Sequence, residues 1–98
     1  MNKIVMLPCA VKDIENIIEY LSRFYETTAI KQYDRIMSGI NKLKQFPLMC
    51  PVYETTSSRY TYRKLVVDDY LIFYVVNGDK IEIHRILNGK REISNELN

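Results

Sequence analysis

Asn77-Gly78 stands between two apolar-rich runs, Tyr70 to Val76 and Lys80 to Leu87, and no other feature of the chain constrains its fold as strongly. A type I′ turn needs positive φ at both central residues, so Asn-Gly between such runs predicts a tight β-hairpin. A third run, Tyr62 to Val67, is set off from the second by Asp68-Asp69, a further two-residue turn candidate. Together they predict a three-stranded antiparallel meander rich in Val, Ile, Leu, Tyr and Phe.

Side chains alternate across a strand, so two-residue turns sort the meander onto two faces. Leu65, Ile72, Ile81 and Ile83 share one face with Arg63, Tyr74 and Arg85. Val66, Leu71, Phe73 and Val75 share the other with Lys64, Glu82 and His84. Both faces are partly apolar. The uncovered one is expected to be a groove with an apolar floor and charged edges, suited to binding.

Upstream, Lys3 to Leu7 reads as a short strand ended by Pro8, which lacks an N–H but is tolerated in a first helical turn. Val11, Ile14, Ile17, Ile18, Leu21, Phe24 and Tyr25 then recur at helical spacing, with Asp13, Glu15 and Glu19 placed early in that helix. Thr27 and Thr28 are candidate N-caps for a second stripe of Ala29, Tyr33, Ile36, Met37, Ile40 and Leu43, which Pro47 ends near Phe46. Residues 47–60 read as a loop. The fold class is thus α+β: an N-terminal strand, a helical hairpin, then the meander, forming one sheet packed on the two helices. At 98 residues the chain is a single domain, 1–98.

Composition removes several function classes. The only cysteines, Cys9 and Cys50, have no clustered Cys or His partners, which leaves no zinc site and no disulfide framework. No metal or cofactor is expected, and both thiols read as ordinary and semi-buried. Without a run of about 20 apolar residues there is no membrane helix, and Pro8 interrupts any signal-peptide core. A cytoplasmic protein is expected. Net charge is only +2, but between Arg59 and Arg91 seven basic residues face four acidic ones, which suits an anionic partner.

The order of these elements and their residues resembles the RelE/ParE superfamily of bacterial toxins. Pro8-x-Ala10-x-x-Asp13-Ile14-x-x-Ile17-x-x-Tyr20-Leu21 is similar to its opening helix, and Ile40-x-x-Leu43-x-x-Phe46-Pro47 to the end of its second. Tyr62-Arg63-Lys64-Leu65, Asp69-Tyr70-Leu71-Ile72-Phe73-Tyr74 and Ile83-His84-Arg85-Ile86-Leu87-Asn88-Gly89-Lys90-Arg91-Glu92 are similar to its sheet. The resemblance implies the toxin of a type II toxin–antitoxin, or addiction, module of the plasmid-stabilisation kind. Its partner would be a cognate antitoxin whose flexible segment wraps it in a hetero-oligomer.

The superfamily splits between RelE-like mRNA interferases, which cleave messenger RNA on the ribosome, and ParE-like inhibitors of DNA gyrase. Cleavage needs a base, a phosphate clamp and an acid, without metal. Lys64 and Arg91 match the ribonuclease pattern, and His84 is a candidate general base. Leu71 and Leu97 stand where that pattern places an arginine and a tyrosine. The Arg85-x-Leu87-x-Gly89-Lys90-Arg91-Glu92 stretch is closer to the ParE branch, although Asn88 replaces a histidine often found there. The reading therefore leans to gyrase, with an endoribonuclease and an inactive antitoxin-binding module as alternatives. Lys64, Arg91 and His84 are the catalytic candidates; Arg63, Arg85, Lys90 and Tyr62 are candidates for contacting nucleic acid or a partner.

Overall fold

Leu7 is extended and Pro8 opens the first helix, so strand passes to helix within one residue. The computed structural model describes residues 2–54 and 59–89. The elements run β1 (Lys3–Met6), α1 (Pro8–Ser22), α2 (Glu26–Lys42), β2 (Val52–Tyr53), β3 (Tyr62–Val67), β4 (Tyr70–Asn77) and β5 (Lys80–Asn88). One five-stranded sheet has the order β1-β5-β4-β3-β2. β1 lies parallel to β5, with Ile4 opposite Ile81 and Met6 opposite Ile83; the helical hairpin carries the chain from β1 at one edge to β2 at the other, and the antiparallel strands return it to β5 beside β1.

The expected α+β fold is present, with four local corrections. β2 lies inside the stretch read as loop, pairing Val52 with Arg63 and Tyr53 with Tyr62. α2 begins at Glu26 with Tyr25 as an N-cap that makes no side-chain bond, which puts Thr27 and Thr28 inside its first turn. It ends at Lys42, short of Phe46. And no acidic residue lies in the first turn of α1, because the helix starts at Pro8 and Asp13 is already in its second turn.

The hairpin turn sits one residue further on than Asn-Gly suggests. Asn77 pairs with Lys80, leaving Gly78 and Asp79 at the centre, and only Gly78 has positive φ, at 62°. Cross-strand partners therefore move by two places, an even number, so no side chain changes face. The other turn is as expected: Val67 pairs with Tyr70, and Asp68 has a positive φ of 54°. Its carboxylate accepts from Gln32 Nε2 at 3.1 Å and Arg35 Nη1 at 3.4 Å, bonds that hold a conformation unfavourable for a residue with a Cβ.

Register changes once more, and here the faces do change. Tyr74 pairs with Ile83 but Phe73 with Arg85, so His84 is the extra residue of a β-bulge. Beyond it, alternation reverses. Ile86 joins the helix-side core and Leu87 the opposite face, whereas strict alternation would have exchanged them.

The main core joins Ala10 and Ile14 of α1, Ile36 and Ile40 of α2, Leu43, and Leu65, Ile72, Tyr74, Ile81, Ile83 and Ile86 of the sheet. Gly39 allows α2 to approach β3 closely, since an added Cβ would lie 3.0 Å from a Val67 methyl. The hairpin stripes are less buried than their spacing implies. Val11, Phe24, Tyr25 and Tyr33 of those stripes are exposed, as are Tyr20 and Ile30 beside them in sequence. No helix among the described residues is long and apolar enough to cross a membrane.

Candidate functional site on the outer sheet face

The sheet face turned away from the helices has a small core of its own. Tyr62, Phe73 and Leu87 are buried there, with Tyr53, Leu71 and Val75 packed against them. The face is therefore closed over its apolar floor, and the open apolar groove expected from alternation does not form. Its closure is aromatic. Tyr53 meets Phe73 edge-on at 5.0 Å between centroids, Tyr60 meets Tyr62 at 5.8 Å, and Tyr62 meets Phe73 at 6.4 Å. Such pairs add about 0.5–1.5 kcal/mol each beyond the area they bury.

His84 enters this cluster by the alternation that already set it on the face opposite to Ile83, and the bulge changes the faces only of the residues that follow it. It is only 9% exposed, and its ring meets those of Tyr60 at 4.8 Å and Tyr62 at 5.2 Å. Nδ1 lies 3.3 Å from Tyr62 Oη. Nε2 lies 3.5 Å from Glu82 Oε1, too poorly aligned for a hydrogen bond, and has no hydrogen-bond partner among the described residues. A buried polar atom in that state costs about 1–3 kcal/mol, so this imidazole is not optimised for stability alone. Lys64 lies across β4 from the bulge, opposite Phe73, and its ammonium sits 5.4 Å from the centroid of the Tyr53 ring. Lys64, His84 and Tyr62 are thus brought to one face. Lys90 and Arg91 lie outside the described residues.

The other two candidates are bound to the scaffold. Arg63 donates from Nη1 to the Cys50 carbonyl at 2.7 Å, tying the loop before β2 to β3. Arg85 donates to Asp13 from Nε at 2.7 Å and from Nη2 at 2.9 Å, and the Ile86 amide donates to the same carboxylate at 2.9 Å. One carboxylate thereby fastens α1 to β5 at its bulge. Asp13 carries a sequence signal that can be read: it follows buried Ala10 by three residues and precedes Ile17 by four, which puts an acid on the apolar stripe.

Tyr74 lies in the helix-side core and donates from Oη to the Pro47 carbonyl at 2.9 Å. Burial and the neighbouring Cys50 side chain hold its phenol above the ordinary tyrosine range. Cys50 itself is buried and Cys9 exposed, so the two thiols are unlike each other. Tyr53 was hidden because the stretch holding it reads as loop. No group of three or more metal-ligating side chains occurs among the described residues.

A second surface lies on the helical hairpin. Ile14, Ile18, Ala29, Ile30 and Tyr33 line an apolar cleft of ≈ 430 Å³, rimmed by Glu15 and Glu19. Its apolar lining and acidic rim make it a candidate interaction surface.

Strand, helical hairpin and antiparallel meander define a class of small toxins, and the fold matches solved members of it. A chain from the chromosomal ParDE toxin–antitoxin system of P. aeruginosa aligns with TM-score 0.75 at 19% identity, covering 90% of this chain and 96% of that one. A chain of the RelB–RelE antitoxin–toxin complex from Methanococcus jannaschii aligns with TM-score 0.54 at 21% identity, covering 88% and 91%. At these identities the likeness is one of fold. The sequence family described as the ParE toxin of the type II toxin–antitoxin system parDE matches residues 4–93, and the chain belongs to it. No curated protein matches. The protein is a ParE-like toxin of a type II toxin–antitoxin system.

Proposed function

We propose that this toxin stops growth by binding DNA gyrase in the cytoplasm, and that a cognate antitoxin holds it inactive. The observation that carries the reading is the state of the outer sheet face. Leu71 packs into an apolar–aromatic cluster, and the guanidiniums of Arg63 and Arg85 are spent on the Cys50 carbonyl and on Asp13. Among the described residues, Lys64 and Arg59 are held on that face by aromatic partners, over the rings of Tyr53 and Tyr60. RNA cleavage needs several charges converging on one phosphate, each worth a few kcal/mol in the transition state. A firm aromatic surface with a positioned ammonium suits recognition of a folded protein instead.

The antitoxin reading rests on the hairpin cleft. An amphipathic segment laid against Ile18, Ile30 and Tyr33 would cover apolar surface that is otherwise wet, and Glu15 and Glu19 favour basic residues at its edges. The segment can be disordered beforehand, since the area gained offsets the cost of ordering it.

Purified toxin added to a gyrase supercoiling reaction should block supercoiling, and added antitoxin should restore it. In a translation extract it should leave messenger RNA intact. Codon-periodic cuts with normal supercoiling would replace this reading with the ribonuclease one, and silence in both assays would leave an inactive antitoxin-binding module.

A further inference from the structure

β3 is longer than the strand that covers it. β2 pairs only with Tyr62 and Arg63, and the last contact on that side is the Lys64 amide donating to the Pro51 carbonyl at 3.2 Å. Amides alternate sides along a strand, so the Val66 N–H and C=O point the same way, past the end of β2. Among the described residues no backbone group meets them. The Val66 side chain is 57% exposed, and Met49, which lines the same cleft, is 47% exposed. An open strand edge flanked by apolar side chains is a template for another strand.

The charges beside this edge indicate which strand. A cleft of ≈ 580 Å³ runs between α2 and β3. Asp34 lines one end, near Asp68, and Lys42 lines the other, with Ser38 and Gly39 between them. Asp34 and Lys42 are four residues either side of Ser38. A two-fold axis perpendicular to the sheet near Val66 would run α2 antiparallel to its copy and set each Asp34 against the Lys42 of the second copy. The rim is self-complementary, as an isologous contact requires.

We propose that the toxin pairs with a second copy of itself across this edge. Val66 meets Val66 antiparallel, the two exchange a pair of backbone hydrogen bonds, and the sheets join with all four helices on one side. Met49 is covered in the process. The hairpin cleft on the far side of α2 takes no part.

Sedimentation of the purified full-length toxin over a concentration series tests this. The mass should rise from 11.6 kDa towards twice that value. Val66→Lys, which sets like charges together on the axis, should weaken association at least tenfold while leaving the melting temperature of the dilute, dissociated chain unchanged. Asp34→Lys or Lys42→Glu should each weaken it, and the double exchange should restore it. A mass that stays at the single-chain value overturns the proposal, as does association indifferent to Val66→Lys or a double exchange that restores nothing. A monomer whose Val66→Lys form loses antitoxin binding also overturns it and assigns the edge to the antitoxin.

Discussion

The two faces of one sheet are built on different chemistry. The helix side is mainly aliphatic, with Tyr70 and Tyr74 among its Ile and Leu side chains, and the charge pair embedded in it is bonded throughout: the Asp13 carboxylate accepts two bonds from Arg85 and one from the Ile86 amide. The outer side is aromatic, and its one buried imidazole has a nitrogen with no hydrogen-bond partner among the described residues. The contrast separates basic residues that build the fold from those that act outward. Arg85 and Arg63 belong to the first kind and Lys64 to the second.

Substitutions on the two faces should therefore differ in kind. Asp13→Ala should have the largest effect on stability, about 3–5 kcal/mol by urea unfolding, because it strands a part-buried guanidinium and an amide together. A loss under about 1 kcal/mol would place the clamp among ordinary surface pairs. Ile86→Ala should cost about 2–5 kcal/mol, as a fully buried aliphatic residue does. A small cost would deny the reversal of faces at the bulge.

Alkaline unfolding should follow the helix side too. Burial first, then the Asp69 and Tyr20 charges, raise Tyr70; burial and Cys50 raise Tyr74. A tyrosine that holds its proton more tightly when folded is neutral in both states below its ordinary value of 10.0, and there it makes stability independent of pH. Above that value the unfolded chain ionises first, so stability should fall as pH rises. Tyr74→Phe should reduce the slope of that fall. The smallest stability effect is expected on the outer face: His84→Leu should change unfolding by less than about 1 kcal/mol, since it removes an atom that lacks a partner.

Element order and most faces were legible because they follow from period and punctuation. Pro8, Asp68-Asp69 and Gly78 ended or turned the chain where the residues said, and a two-place shift in the hairpin left alternation intact. The bulge at His84 was not legible, for nothing in His84-Arg85 distinguishes an extra residue from a paired one. That single residue decided which of Ile86 and Leu87 entered which core. Tyr53 was equally hidden, since a two-residue strand carries no period. Arg63 and Arg85 looked like displayed cations because composition shows charge but not the acceptor it meets. Asp13 was readable as an acid on an apolar stripe and supplies that acceptor.

The central claim is that the outer face recognises the target while the helix side only supports it, and Lys64→Ala tests it most directly. Toxin carrying this substitution should be titrated into a gyrase supercoiling reaction with its melting temperature measured on the same sample. Inhibition weakened about tenfold or more at an unchanged melting temperature is the predicted result. Full inhibition at that melting temperature would contradict it and move recognition away from this face.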